Sequence, residues 1–250
     1  MTNRCTRRQL LASVGAILGG TLALQGSARG QSVPELATPD AVSVSFDRER
    51  LKRYQPALIT SEQNRPRIKG HFGYIAEHED REMTAYAYWL QLTHQDGVPG
   101  FSQDSHLGDH EPIYVFVGSE GVQSVVYSAY HHYAAEVKDP ELAAIAADEP
   151  THVPLEIIDP WHMFRYVPER RGSLLDLRDW LAVRETWAKN GFYESTSNEA
   201  VDNPFVMADG RETWWDEATW DYRAAAIWRL IGWAGAGDAD PTRASTFDFL

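Results

Sequence analysis

The stretch that decides the fold is IYVFVGSEGVQSVVYSAY, residues Ile113 to Tyr130. Ile113 to Val117 is a run of β-branched and aromatic residues, the composition that suits a pleated, half-buried strand. Gly118-Ser119-Glu120-Gly121 reads as a hairpin turn, and Val122 to Tyr130 as the returning strand. Successive strand side chains point to opposite faces, so Tyr114 and Phe116 should share one face and Ile113, Val115 and Val117 the other.

Upstream, Ile68 to Ala76 reads as a strand, and Met83 to Leu92 (MTAYAYWLQL) as a second, separated from it by the charged turn EHEDRE. Downstream, Val153 to Ile158 and Trp161 to Val167 read as two more. Six or so strands in hairpin order predict a mainly β protein, an antiparallel two-sheet β-sandwich with helical C-terminal additions. Ser45 is the expected N-cap of a helix over 46–54 that ends before Pro56. Asp139-Pro140 should cap a short helix to Ala147. Ser173, with Asp176 three residues on, should open a helix to about Lys189. A last helix is expected over Asp216 to Gly232, with Trp220, Ile227, Trp228 and Ile231 as a core-facing stripe. Trp214, Trp215 and Trp233 flank it. The Gly/Pro-rich stretch THQDGVPGFSQDSHLGD reads as a long loop. No Pro/Gly/Ser linker divides residues 40–250, which are therefore expected to form a single domain.

Residues 1–30 have the three-part layout of a signal peptide: four arginines and no acid, an apolar run from Leu10 to Leu24, then small residues near Ala28 and Gly30. The pair Arg7-Arg8 in TRRQLL resembles a twin-arginine export signal. The expected location is therefore outside the cell, extracellular or on its surface. Cys5 is the only cysteine and leaves with the leader, so no intramolecular disulfide is expected. The chain has 36 acids against 23 Lys and Arg, a net charge of −13, and loses four of those arginines with the leader. That balance excludes a nucleic-acid binder, which needs clustered basic residues. Lysine is confined to Lys52, Lys69, Lys138 and Lys189, an acid-rich, lysine-poor composition like that of proteins from salt-loving organisms. No apolar run reaches the ~18 residues of a transmembrane helix.

The chemistry concentrates in HQDGVPGFSQDSHLGDHE, His94 to Glu111. Pro112 biases Glu111 towards extended backbone, so Asp109 and Glu111, two apart, should face the same way. His106 can fold its imidazole back over them, and Asp96 sits at the other side of the loop. Carboxylate oxygens with one histidine suit a hard divalent cation, Ca, Mg or Mn, less so Zn. His131 and His132 follow a strand, one facing inward and one outward, and His162 follows Asp159-Pro160-Trp161; these three are candidate ligand-binding residues. No G-x-S-x-G elbow, P-loop or dinucleotide fingerprint is present.

HLGDHE, with His106, Asp109 and Glu111 at H-x-x-D-x-E spacing, is similar to the H-x-G-D-W-E motif of the vacuolar-protein-sorting family whose yeast member is numbered sixty-two. It also resembles, more distantly, the G-H-R-H-D-W-E heptapeptide of the necrosis- and ethylene-inducing (NPP/NLP-type) proteins. RYQPALITSEQNRP, AYAYWLQLTHQD and VVYSAYHHY resemble segments that flank the motif in the same order, so that the likeness covers about residues 50–135. The resemblance implies a β-sandwich with a divalent cation held at one end by carboxylates and a histidine, here Asp96, His106, Asp109 and Glu111. It implies an exported metal-dependent binding protein that recognises a glycan or lipid headgroup. The motif tryptophan is His110 here, on the opposite strand face, and the paired cysteines of the necrosis-inducing proteins are absent, so cytolytic activity is not implied. The alternative is a secreted metal-dependent hydrolase, with the same cation activating water and His131 or His132 moving protons. A structural envelope protein with a vestigial site is a third reading.

Overall fold

The computed structural model describes residues 39–95, 106–129, 133–145, 149–159, 162–189 and 203–214. The expected signal peptide and the expected helix over 216–232 lie outside these residues. Among the described residues no helix is long and apolar enough to cross a membrane.

The long strands form where the sequence alternates two apolar faces. β3 (Ile68–His78), β4 (Thr84–Leu92), β7 (His110–Gly118) and β8 (Gly121–Ala129) run antiparallel as consecutive neighbours in one sheet. β9 (Tyr133–Lys138) continues it beyond β8. At the other edge, β1 (Val42–Ser45) pairs antiparallel with Ile75–His78 of β3, and β12 (Leu177–Asp179) pairs parallel with His71–Gly73 of the same strand. A smaller sheet joins β10 (Pro154–Ile157) to β11 (Phe164–Tyr166) antiparallel and to β2 (Ala57–Ile59) parallel. The expected fold class is the observed one.

The face carrying Ile113, Val115 and Val117 packs with Tyr86, Tyr88 and Leu90 of β4 against Leu58, Leu155, Ile157, Phe164 and Tyr166 of the small sheet. Tyr114 and Phe116 share the other face, as the alternation predicts, with Trp89 and Ala87. That face is covered by Trp180, Trp214 and the short helix α3 (Phe205–Ala208), which contributes Phe205 and Met207. Arg81, in the β3–β4 turn, clamps this cover with two bonds to Asp209, at 2.7 and 2.6 Å. Large aromatic side chains on both faces of one strand bring much of the burial that drives folding, about 25 cal/mol per Å² of apolar surface.

Three helix expectations are corrected. The helix α1 spans Arg48–Arg53, and its N-cap is Asp47, whose carboxylate accepts from the backbone N–H of Glu49 and Arg50 at 3.0 and 3.1 Å. Ser45 belongs instead to β1, paired with Ile75. Asp139 does not cap a helix: its φ of 47° is left-handed, it closes β9 with an N–H bond to Gln123 O, and Ala143 makes a bridge to His152. An N-cap needs extended backbone, which Asp139 in its left-handed conformation does not supply. Ser173 makes a reciprocal backbone pair with Leu58, at 3.0 Å in both directions. The helix α2 is limited to Arg184–Lys189. Burial of Leu177 in the core draws residues 177–179 into the sheet and overrides the local capping signal.

Candidate functional site

The site lies at the end of the sandwich where β4 runs out and β7 begins. Leu92 N–H donates to Asp109 O at 2.8 Å, and Glu111 pairs with Leu90. This ladder does not stop at the strand ends. Gly108, with φ 77°, donates to Thr93 O, and β5 (His94–Gln95) pairs with β6 (His106–Leu107). The expected loop therefore begins and ends as a continuation of the β4–β7 ladder, because backbone pairing outweighs the polar side chains there. Asp96 lies outside the described residues, and of His106 the backbone alone is described. His131 and His132 also lie outside them, between Ala129 and Tyr133, which pair across β8 and β9.

Alternation along β7 sends Glu111 to the side of Ile113 and Val115, into the space between the sheets, and Asp109 follows two residues before. Both are buried, at 7% and 3% relative exposure. His110 takes the opposite face, where its imidazole Nε2 lies 3.3 Å from Gln91 Nε2. Burial, then the charge on Asp109, push the Glu111 carboxyl well above the usual carboxylate range; a hydrogen bond from Ser128 works against them.

The small sheet supplies the partner. Between β10 and β11 the chain turns sharply, with His162 at φ 66° and its N–H bonded to Ile158 O at 2.8 Å. This conformation carries the fully buried imidazole to Asp109, with Nδ1 2.8 Å from Oδ2. A carboxylate only accepts, so Nδ1 carries the proton. On the other side of the ring, Arg67 Nη1 stands 3.5 Å from Nε2. Arg67 lies in the 3₁₀ turn (Arg65–Arg67) that leads into β3.

Of the sequence candidates, the structure brings Asp109, Glu111 and His162 to one buried place. Arg67 joins them without a motif to announce it, and Ser128 comes from the quoted VVYSAYHHY segment. Asp109 and His162 are 53 residues apart and lie at the ends of strands of different sheets, so no spacing rule connects them. Among the described residues, no group of three His, Cys, Asp or Glu side chains is arranged to hold a metal ion.

No protein-family model matches the chain, and no curated protein matches its sequence. Among solved structures it is similar to necrosis and ethylene inducing protein 2 from the causal agent of cocoa's witches' broom disease, at 16% identity over 66% of this chain and 90% of that one, with a TM-score of 0.43. It is also similar to NLPPya in complex with mannosamine, at 13% identity over 68% of this chain and 93% of that one, TM-score 0.48. A complex of NLPPya with glucosamine gives 14% identity, the same coverage and the same TM-score. At these values no residue role is carried from those proteins to this chain.

Proposed function

We propose that this is an exported, cation-dependent binding protein that recognises a glycan or lipid headgroup, with Asp109 and Glu111 as direct cation ligands. The observation that carries the reading is the burial of these two carboxylates near each other at one end of the sandwich. Two like charges held in a site of low dielectric repel each other, and a divalent cation turns that repulsion into attraction. Oxygen donors fit Ca, Mg or Mn better than Zn. His106 and Asp96 complete the proposed ligand set, since the described residues alone do not form one. His162 positions Asp109 by donating to Oδ2, the arrangement in which an outer histidine fixes the orientation of a ligating carboxylate. The bound cation would supply a positive centre for headgroup oxygens.

The test is binding of immobilised glycans and lipid vesicles by the chelated and the cation-loaded protein. The reading predicts saturable binding that disappears on chelation and in Asp109→Asn/Glu111→Gln. Turnover of an ester or glycoside that disappears on chelation would replace it with the hydrolase reading.

A further inference from the structure

Two groups with one-way hydrogen-bonding chemistry hold the His162 imidazole, and they make the same demand of it. Asp109 Oδ2, 2.8 Å from Nδ1, only accepts, so Nδ1 carries a proton. Arg67 Nη1, 3.5 Å from Nε2, only donates, so Nε2 carries a lone pair. The ring is therefore fixed in one tautomer from both sides. In the other tautomer a lone pair would face the carboxylate and an N–H would face the guanidinium, and both contacts would turn repulsive.

The backbone closes this chain into a circuit. Thr93 N–H donates to Arg67 O and Gly108 N–H to Thr93 O, each at 2.9 Å, and Gly108 directly precedes Asp109. The circuit ties the His162 turn of the small sheet to the rim of the large one. The conformation of His162 shows that its surroundings impose this placement. A φ of 66° is left-handed backbone, which a residue with a Cβ rarely adopts unless its neighbours hold it there. The imidazole is also fully buried, and a buried ring is tolerable while both of its nitrogens are bonded. Loss of the donor at Nε2 should therefore be felt at Nδ1.

We propose that Arg67 is a positioning residue for Asp109: by donating to Nε2 it keeps the proton of His162 on Nδ1 and the imidazole aimed at Oδ2. Arg67 acts through His162. The part of the inference that concerns cation affinity rests on the function proposed above; the tautomer does not.

The experiment is a long-range proton–nitrogen correlation spectrum of the full protein, isotope-labelled in histidine and held in excess chelator. The His162 signals are assigned by their absence in His162→Asn, a residue that tolerates left-handed backbone. In the parent, Nδ1 should be protonated and Nε2 not. Arg67→Met keeps most of the stem and removes the donor. It should give a mixture of the two tautomers and, with Ca, Mg or Mn restored, weaken cation binding about tenfold. Arg67→Lys returns a donor and a charge and should restore the parent's tautomer, which a loss of packing would not explain. If Arg67→Met does not fold, Arg67→Gln, whose amide falls short of the ring, takes its place. A parent with Nε2 protonated would overturn the proposal, as would a donor-less variant that keeps the parent's pattern. A parent that shows this tautomer and its dependence on Arg67, but binds no cation, would remove the function proposed above and leave the role of Arg67 standing.

Discussion

Glu111 carries an opposition between stability and function. Its carboxylate lies buried next to Asp109, a cost to the metal-free fold and, under the function proposed above, the source of cation affinity. Glu111→Gln should therefore stabilise the chelated protein, on the order of 1–3 kcal/mol, and lower the stability of the cation-loaded protein relative to the parent. Thermal melts of both proteins in both states check the sign reversal; a variant that moves the same way in both states would contradict it. His71 makes a separate pH-dependent prediction. Fully buried, it accepts from Gln55 Nε2 at 2.9 Å and packs on Tyr88, and burial lowers its pKa from 6.5 to about 3. The folded state thus refuses a proton that the unfolded chain takes up below about pH 6.5. Stability should fall as pH drops from 6.5 towards 3, by on the order of 4 kcal/mol in total, with no contribution above 6.5. His71→Gln keeps an acceptor for Gln55 and should flatten that part of the pH–stability curve in denaturant titrations. At this scale, the shared face of Asp109 and Glu111 was legible, because period two and the following proline determine it. The Asp109–His162 contact was not, because it depends on how a turn of one sheet meets the edge of another.

Strands were legible where both faces are apolar. In β4, β7 and β8 the alternation is long enough to leave one reading. Residues 173–189 show the opposite case. Ser173 and Asp176 are sound local capping residues, yet Leu58 takes the Ser173 backbone and β3 takes Leu177. Such pairings over more than a hundred residues leave no trace in local pattern. The fit here is close: a Cβ on Gly172 would lie 2.4 Å from Ala57 O, so the 172–173 backbone presses directly on β2. Gly172→Ala should cost roughly 1–3 kcal/mol by forcing this segment off the small sheet. Because β2 pairs with β10, which leads into the His162 turn, the same variant should weaken the proposed cation binding, read by calorimetric titration. An unchanged melting temperature would mean that the segment yields without cost.

For the whole molecule, the acidic charge sets the conditions under which the proposed site has to be tested. The acidic excess should make stability rise with salt, since screening relieves self-repulsion, so every comparison of cation-loaded and chelated protein needs fixed ionic strength. If Arg7-Arg8 is a twin-arginine signal, replacing both with lysine should leave the precursor inside the cell; normal secretion of that variant would remove the export assignment. The central claim is that Asp109 and Glu111 hold a divalent cation. Its most direct measurement is the melting temperature of the purified protein at constant ionic strength, first in chelator and then with Ca, Mg or Mn restored. Binding at a hundredfold excess over the dissociation constant adds roughly 2.7 kcal/mol, a shift of about 5–10 °C for a chain of this size. The account predicts that shift in the parent and none in Asp109→Asn/Glu111→Gln. A parent that melts at the same temperature with and without chelator, or a double variant that responds as the parent does, would contradict it.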